Sequence, residues 1–124
     1  MNRVITVRNL KHELAAPARV VFCESFSCRL RGLMFHARLH ADDGLLLVGT
    51  QDSRLEAAIH MLFVPFDLSV FWINSHLIVV DKIIARGWRP AYTPKSAAMY
   101  ILEVHPNRLG DYEIGDKVEF VIVE

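Results

Sequence analysis

The stretch AAIHMLFVPFDLSVFWIN, residues 57–74, contains the longest apolar run of this chain. Its apolar run 61–73 is 13 residues long and contains Pro65 and Asp67, so it is too short for a membrane-spanning helix. Proline cannot donate a hydrogen bond to a strand ladder, and Pro65 therefore divides the stretch into two predicted strands, 57–62 and 68–73. Strand 68–73 is apolar on both faces. It should be covered on both sides, as a sandwiched strand or as a contact in a homo-oligomer.

Outside this stretch, short β-type runs alternate with turn residues along the whole chain. This pattern is typical of a mainly β domain, an antiparallel β-sandwich or partial barrel, and we expect a single domain over residues 1–124. Asn74 is expected to take the positive φ of a tight hairpin turn. The predicted strands are 4–7, 19–24, 44–48, 57–62, 68–73, 76–85, 97–104 and 117–123.

One or two short helices complete the prediction. Ser25 is a favourable N-cap for a helix through Leu30, and Gly32 can take the left-handed position that ends it. A second helical turn is expected over residues 106–109.

The charge balance narrows the class of partner. The chain has 14 basic and 14 acidic residues, whereas domains that bind nucleic acid usually carry a strong basic excess. Nucleic acid is therefore disfavoured as a partner. The N-terminus shows no apolar core followed by a small-residue cleavage site, so we expect a cytoplasmic protein with no transmembrane segment.

The cysteines and histidines do not predict a metal site or a cofactor. Cys23 and Cys28 form one C-x4-C pair with no second pair, and in a cytoplasmic setting we expect both to be reduced, structural thiols. His36 and His40 would share one face of a helix and could then hold zinc. Gly32 tends to end the preceding helix, however, and a solvated loop is the favoured interpretation.

Six short motifs in order carry a resemblance to a known family. They are RLRGLM at 29–34, GLLL at 44–47, IHM at 59–61, WRP at 88–90, LE at 102–103 and GD at 115–116. Over residues 18–121 the chain resembles the "domain of unknown function 192" family. The resemblance implies a mainly β, sandwich-like fold with a short helix after the second strand, and it implies no particular activity.

The chain departs from the family pattern at two acidic positions. Ser69 and Asn74 stand where the family usually has aspartates, so two carboxylates that could support acid–base chemistry are missing. Asp67, two residues before Ser69, keeps the same strand face but lies about 7 Å away, and it cannot be assumed to replace them.

His60 and Glu103 are the candidate catalytic residues. In a strand over 57–62, His60 would be a core histidine with its N–H bonded to a backbone carbonyl or a carboxylate, and this is the favoured interpretation. Glu103 shares an apolar strand face with Ile101, where an unpaired carboxylate would be costly. We therefore expect Glu103 to pair with Arg29, Arg89 or His60. Such a pair is either structural or part of a polar ligand pocket.

The loop RGWRPAYTPK, residues 86–95, is the candidate binding segment. It combines basic residues with Trp88 and Tyr92, and flat aromatic rings beside guanidinium groups suit a planar or anionic ligand. The predicted ligand-binding residues are Arg29, Arg86, Trp88, Arg89 and Tyr92. The alternative is that both rings fold inward while the charges face water.

Two functions remain open at this point. The favoured one is a non-catalytic binding or interaction domain that holds a small anionic or planar ligand, or a partner protein, at loop 86–95. The alternative is a small hydrolase or isomerase in which His60 is the general base, Glu103 orients it and Arg89 stabilises an anion.

Overall fold

The structure, a computed structural model, describes residues 3–34 and 36–124. These residues form seven strands, one α-helix and one 3₁₀ helix, in keeping with the predicted mainly β fold. The elements are β1 (Arg3–Asn9), β2 (Arg19–Cys23), α1 (Phe26–Arg31), β3 (Asp43–Ser53), β4 (Leu68–Ile73), β5 (Val79–Ala85), β6 (Ala98–Val104), the 3₁₀ helix (Pro106–Asp111) and β7 (Val118–Ile122).

The strands form one curled sheet in the order β5-β4-β6-β3-β2-β1-β7. Its two ends approach each other at the bridge between Ile78 and Lys117, which gives a half-barrel. The partial-barrel prediction is confirmed. The pairing is antiparallel except between β2 and β3, which run parallel, so the sheet is mixed. A parallel pair requires a long crossover, and α1 with the segment before β3 supplies it.

The sheet buries side chains on both faces. On the first face, here called the α1 face, Leu45, Leu47, Val70, Trp72 and Ile101 pack with residues of the segment 57–64. On the second, the Tyr112 face, alternate residues of the same strands pack against Tyr112. Because side chains alternate along a strand, Glu103 lies on the α1 face with Ile101.

Strand β4 is fully buried within this chain, between β5 and β6. The sandwiched interpretation of residues 68–73 is therefore correct, and the burial of β4 needs no second copy. Trp72 lies on the α1 face, and its indole Nε1–H donates to the carbonyl of Ala57 at 2.8 Å. This bond ties the segment 57–64 to the sheet.

Residues 57–62 do not form the predicted strand. They cross the α1 face and form a single β-bridge, between Ile59 and Tyr92 of the loop 86–95. The apolar content of the segment reflects its burial against the face, and its backbone bonds go to the loop 86–95 instead of to a ladder.

Helix α1 begins and ends where the sequence predicts. The Ser25 hydroxyl accepts the Cys28 N–H at 3.2 Å, and Gly32 closes the helix at φ 50°. The second predicted turn is the 3₁₀ helix, which is two residues longer than expected. No helix of the described residues is long and apolar enough to cross a membrane.

The prediction of reduced thiols is wrong. Cys23 at the end of β2 and Cys28 in α1 form a disulfide, with their Cα atoms 5.6 Å apart. The tight turn from β2 into α1 brings the two residues within the usual Cα separation of a disulfide. Reduced thiols are predicted from the expected compartment alone, and the sequence does not reveal the distance between the two cysteines.

The turn after β4 also differs in detail from the prediction. Leu77 takes the positive φ, at 61°, while the Asn74 side chain accepts the backbone N–H groups of His76 and Ile78. Asn74 therefore stabilises the turn through its side-chain oxygen instead of its backbone conformation.

Gly44 provides a test of how closely β3 and β6 pack. A Cβ at this position would lie 2.6 Å from the Glu103 carbonyl oxygen and 2.9 Å from Val20 Cγ1. Gly44→Ala should therefore lower the free energy of unfolding by about 2 kcal/mol through overpacking. Gly110→Ala is the matched control, since a Cβ there meets nothing within 4 Å. Urea denaturation of both variants checks this, and equal stability of the two would contradict the packing described.

Candidate functional site

A cavity of about 190 Å³ lies on the α1 face, between α1, the sheet and the segment 57–64. Its wall is mainly apolar, and four side chains bring polar atoms to it: Arg29, Arg31, His60 and Glu103. The apolar part of the wall consists of Leu33, Met34, Leu47, Ala58, Ile59, Met61, Val64 and Leu68.

Glu103 lies in β6, with Leu45 of β3 and Val70 of β4 as its cross-strand neighbours. The residue is only 4% exposed. Its Oε1 atom lies 4.0 Å from the ideal Cβ position of Gly32, so the carboxyl group lies below the C-terminus of α1. Burial in this apolar setting raises the pKa of Glu103 to about 7.

The expected pairing of Glu103 with Arg29, Arg89 or His60 does not occur. Within residues 3–34 and 36–124 its carboxyl group has no hydrogen bond and no ion pair. Each candidate partner has a different environment: Arg29 is engaged by another carboxylate, Arg89 is exposed on the loop 86–95, and His60 bonds locally. Glu103 is therefore a buried carboxyl group that faces a cavity alone.

Arg29, which also lines the cavity, carries a second unpartnered polar group. Its Nη1 atom lies 3.7 Å from Glu56 Oε1, and the Glu56 carboxylate also accepts the Thr50 N–H. The Thr50 backbone and hydroxyl donors, with Arg29, hold the pKa of Glu56 below its usual value. Arg29 Nε, in contrast, is buried and has no hydrogen-bond partner among the described residues. Leaving such a donor unsatisfied costs about 1–3 kcal/mol.

His60 lies on the cavity wall and is half-buried, so the prediction of a core histidine in a strand is wrong. Its Nδ1 atom accepts the Leu62 N–H at 3.2 Å. In the neutral ring, the proton must then be on Nε2, which leaves that N–H as the available donor. The position of His60 differs from the prediction because the side chains of residues 57–64 do not alternate between two faces as they would in a strand.

The predicted loop residues lie beside the cavity and not in it. Arg86 forms an ion pair with Asp67 at 2.8 Å, and its N–H donates to the Tyr92 hydroxyl. Tyr92 is half-buried and packs on the α1-face core, whereas Trp88 is 56% exposed, with its ring 5.5 Å from that of Phe63. Tyr92 thus turns inward and Trp88 outward.

The loop supports the cavity wall through its backbone. Ile59 and Tyr92 exchange two N–H to carbonyl bonds of 2.9 Å, Met61 N–H donates to the Arg89 carbonyl, and Trp88 N–H donates to the Met61 carbonyl. Trp88 takes φ 69° to make this last contact. The loop 86–95 therefore fixes the position of the segment that carries His60.

Of the predicted site residues, the structure brings Arg29, His60 and Glu103 to one cavity. Arg86, Trp88, Arg89 and Tyr92 do not line it. Sequence reasoning missed Arg31 and Met34 as lining residues. Both residues belong to the RLRGLM run at 29–34, which surrounds the end of α1, and this run could have indicated them.

The two departures from the family pattern are structural in this chain. The Ser69 hydroxyl donates to the Pro106 carbonyl at 3.0 Å, and Ser69 faces away from the cavity. Asn74 holds the turn described above. His36 and His40 are exposed and outside helix α1. In the part of the chain that the structure describes, no group of three or more His, Cys, Asp or Glu side chains could hold a metal ion.

The sequence and the fold are similar to those of known proteins. Residues 7–120 match the model of the DUF192 family, described as "Uncharacterized ACR", and the chain belongs to this family. A UPF0127 protein of Thermococcus gammatolerans is 38% identical over 107 residues, which are 85% of this chain and 68% of the relative. A UPF0127 protein of Pyrococcus horikoshii is 32% identical over 90% of this chain and 96% of its own length.

Crystal structures support the fold independently. A protein of unknown function from Novosphingobium aromaticivorans superimposes with a TM-score of 0.79 at 20% sequence identity, over 95% of this chain and 84% of that chain. At this identity the likeness concerns the fold alone. The resemblance to the family and the expected mainly β domain are both confirmed.

The isolation of Glu103 predicts a specific dependence of stability on pH. Because the pKa rises from an ordinary 4.5 to about 7 on folding, stability is full below 4.5 and declines as the pH rises towards and through 7. Relative to Glu103→Gln, the wild type should lose about 3 kcal/mol of unfolding free energy across this window.

Urea denaturation at several pH values checks this dependence. The exposed Glu13→Gln is the matched control and should follow the wild type. A constant difference between the wild type and Glu103→Gln at all pH values would show that Glu103 does not titrate abnormally.

Proposed function

We propose that this protein is a small-molecule-binding domain and that the cavity beneath α1 is its site. One observation carries the proposal: the buried Glu103 carboxyl group has no protein partner among the described residues and faces a mainly apolar cavity that Arg29 and His60 also line. Buried polar groups are normally satisfied, so an exception calls for an explanation. A ligand that bonds the Glu103 carboxyl group supplies it.

The cost of burying the Glu103 carboxyl group favours a ligand-binding role for this residue over a purely structural one. A neutral apolar residue at position 103 would fill the same space without the desolvation of a carboxyl group. A ligand with complementary polar atoms recovers the cost of the unpartnered Glu103 carboxyl group on binding. An apolar wall with a few convergent polar groups is the usual composition of a small-molecule site.

The loop 86–95 contributes to this site from outside. Its backbone bonds to residues 59–61 hold the wall that carries His60, and the Arg86–Asp67 pair and Tyr92 fix the loop itself. We therefore place the ligand in the cavity, while Arg86, Trp88, Arg89 and Tyr92 position the wall. This differs from the sequence-based hypothesis, in which the ligand lies on the loop.

Methionine methyl groups allow a direct test. The chain has four methionines; Met34 and Met61 line the cavity, whereas Met99 does not. In protein labelled with ¹³C at the methionine methyls, benzoate, benzamide or benzamidine at millimolar concentration should shift the signals of Met34 and Met61 selectively. These probes approach the size of the cavity, since an apolar cavity of about 150 Å³ accepts benzene.

Ala58 provides the matched variants for this titration. Ala58→Leu places three extra carbons at the cavity wall and should abolish the shifts, whereas Leu at the exposed Ala15 should leave them unchanged. Shifts that persist in Ala58→Leu, or no shift with any probe, would refute the proposed site.

A catalytic function is the second candidate, and one observation favours it. His60 and Glu103 line the same cavity, and a carboxyl group with a pKa of about 7 can act as a general acid or base at neutral pH. Arg29 would then take the anion-stabilising role that the sequence suggests for Arg89, which does not line the cavity.

Hydrolysis of 4-nitrophenyl acetate separates the two candidates. An enzyme of this kind should lose its turnover in both Glu103→Gln and His60→Gln while the exposed Glu13→Gln retains it. Equal rates in all four proteins favour the non-catalytic binding domain.

A further inference from the structure

We propose that the cavity beneath α1 selects small organic monoanions, carboxylates with a compact apolar body, and that each anion is bound together with a proton held on Glu103. This inference rests on the proposed function, because it names the class of ligand for that same cavity. It makes Glu103 a hydrogen-bond donor to the ligand and Arg29 the cation that faces it.

The charges around the cavity favour an anion. Helix α1 contributes Arg29 and Arg31, and the segment 57–64 contributes His60. Glu56 engages Arg29 at Nη1 but leaves the buried Nε atom free. A ligand carboxylate beside Arg29 and Arg31 would meet charge-assisted donors, which are stronger than neutral ones.

The strands around Glu103 present no other charge to it. Its neighbours on the α1 face are Leu45 and Leu47 of β3, Leu68 and Val70 of β4, and Ile101 of β6. On the other walls of the cavity, the charged or titratable side chains that can affect the ionisation of Glu103 are Arg29, Arg31 and His60. With no partner and an apolar surround, the neutral acid is the stable form of Glu103 below neutral pH.

A neutral Glu103 and an ionised one would choose opposite ligands. The neutral acid donates its O–H to an anionic oxygen, as carboxylic acids kept neutral in apolar sites do. The ionised form would repel an anion at short range and would attract a cation, such as an amidine. A cationic ligand, however, would also face two arginines in a cavity of about 190 Å³. An anion that shares the Glu103 proton is attracted by every polar side chain on the cavity wall.

The size of the cavity limits the body of the ligand. An apolar cavity of about 150 Å³ accepts benzene, so benzoate is a suitable probe, and acetate is a smaller one. Benzamide and benzamidine have nearly the same shape as benzoate but are neutral and cationic. The three molecules therefore test charge at constant size, as do acetate, acetamide and acetamidine.

Calorimetric titration of the wild type, Glu103→Gln and Glu13→Gln with both sets of probes tests the inference. Benzoate or acetate should bind most tightly within its set. Its apparent affinity for the wild type should fall about thirtyfold between about pH 6 and about pH 8.5, because only protonated Glu103 is competent to bind. Glu103→Gln should bind the anion with little dependence on pH, and Glu13→Gln should behave as the wild type.

Proton uptake gives a second measurement that needs no variant. Near pH 8, binding of the anion to the wild type should take up close to one proton, measured from the heats in buffers of different ionisation enthalpy. Anion binding with no proton uptake and no pH dependence would overturn the inference.

The outcomes separate this inference from the proposed function. Preferential binding of benzamidine or acetamidine, lost in Glu103→Gln, would overturn the anion inference and leave the small-molecule site intact. Failure of all six probes to bind the wild type would overturn both.

Discussion

The pairing of β6 with β3 on one side and with β4 on the other determines the rest of this structure. Strand β4, residues 44–48 of β3 and residues 101–104 of β6 are buried on both faces, so each face needs its own cover. On the Tyr112 face, the curl of the sheet brings β1 and β7 round to provide it. On the α1 face, no further strand is present among the described residues, and a six-residue helix and the segment 57–64 must cover the sheet.

This cover is incomplete at the point where Glu103 emerges from β6. Helix α1 ends at Gly32, directly above the carboxyl group, and the segment 57–64 passes beside it with His60. The disulfide between Cys23 and Cys28 joins the start of α1 to the end of β2, and Trp72 Nε1 anchors Ala57 to β4. The disulfide and this hydrogen bond fix the two walls of the cavity. The walls therefore stay apart, and the side chains between them do not fill the space.

Much of the fold can be predicted from the sequence because local patterns determine it. Strand β4 has its predicted bounds. The proline interrupts the apolar stretch before it, and a strand that is apolar on both faces is stable only where both faces are buried. Helix α1 follows from its Ser25 cap and the Gly32 stop. The parallel pairing of β2 and β3 could not be predicted, because strand order depends on which distant runs meet and not on the composition of any one run.

The site was predictable only in part, for a related reason. Glu103 stands out in the sequence as a carboxyl group on an apolar strand face, and Arg29 is predicted as one of its possible partners. The sequence suggests that they pair, because burial of an isolated carboxyl group is costly, whereas Arg29 instead engages Glu56. For His60, the error arises from treating a buried irregular segment as a strand. Apolar content reveals burial, but whether a segment alternates depends on its backbone partners, which for residues 57–64 come from the loop 86–95.

Glu103 is a buried carboxyl group without a protein partner in the part of the chain that the structure describes. Its titration can be followed directly by NMR through the ¹³C shift of its side-chain carboxyl carbon, assigned by comparison with Glu103→Gln. We expect a midpoint pKa of about 7, set by desolvation. A midpoint at or below the ordinary 4.5 would show that Arg29 or another donor stabilises the carboxylate, and it would contradict this account of the cavity.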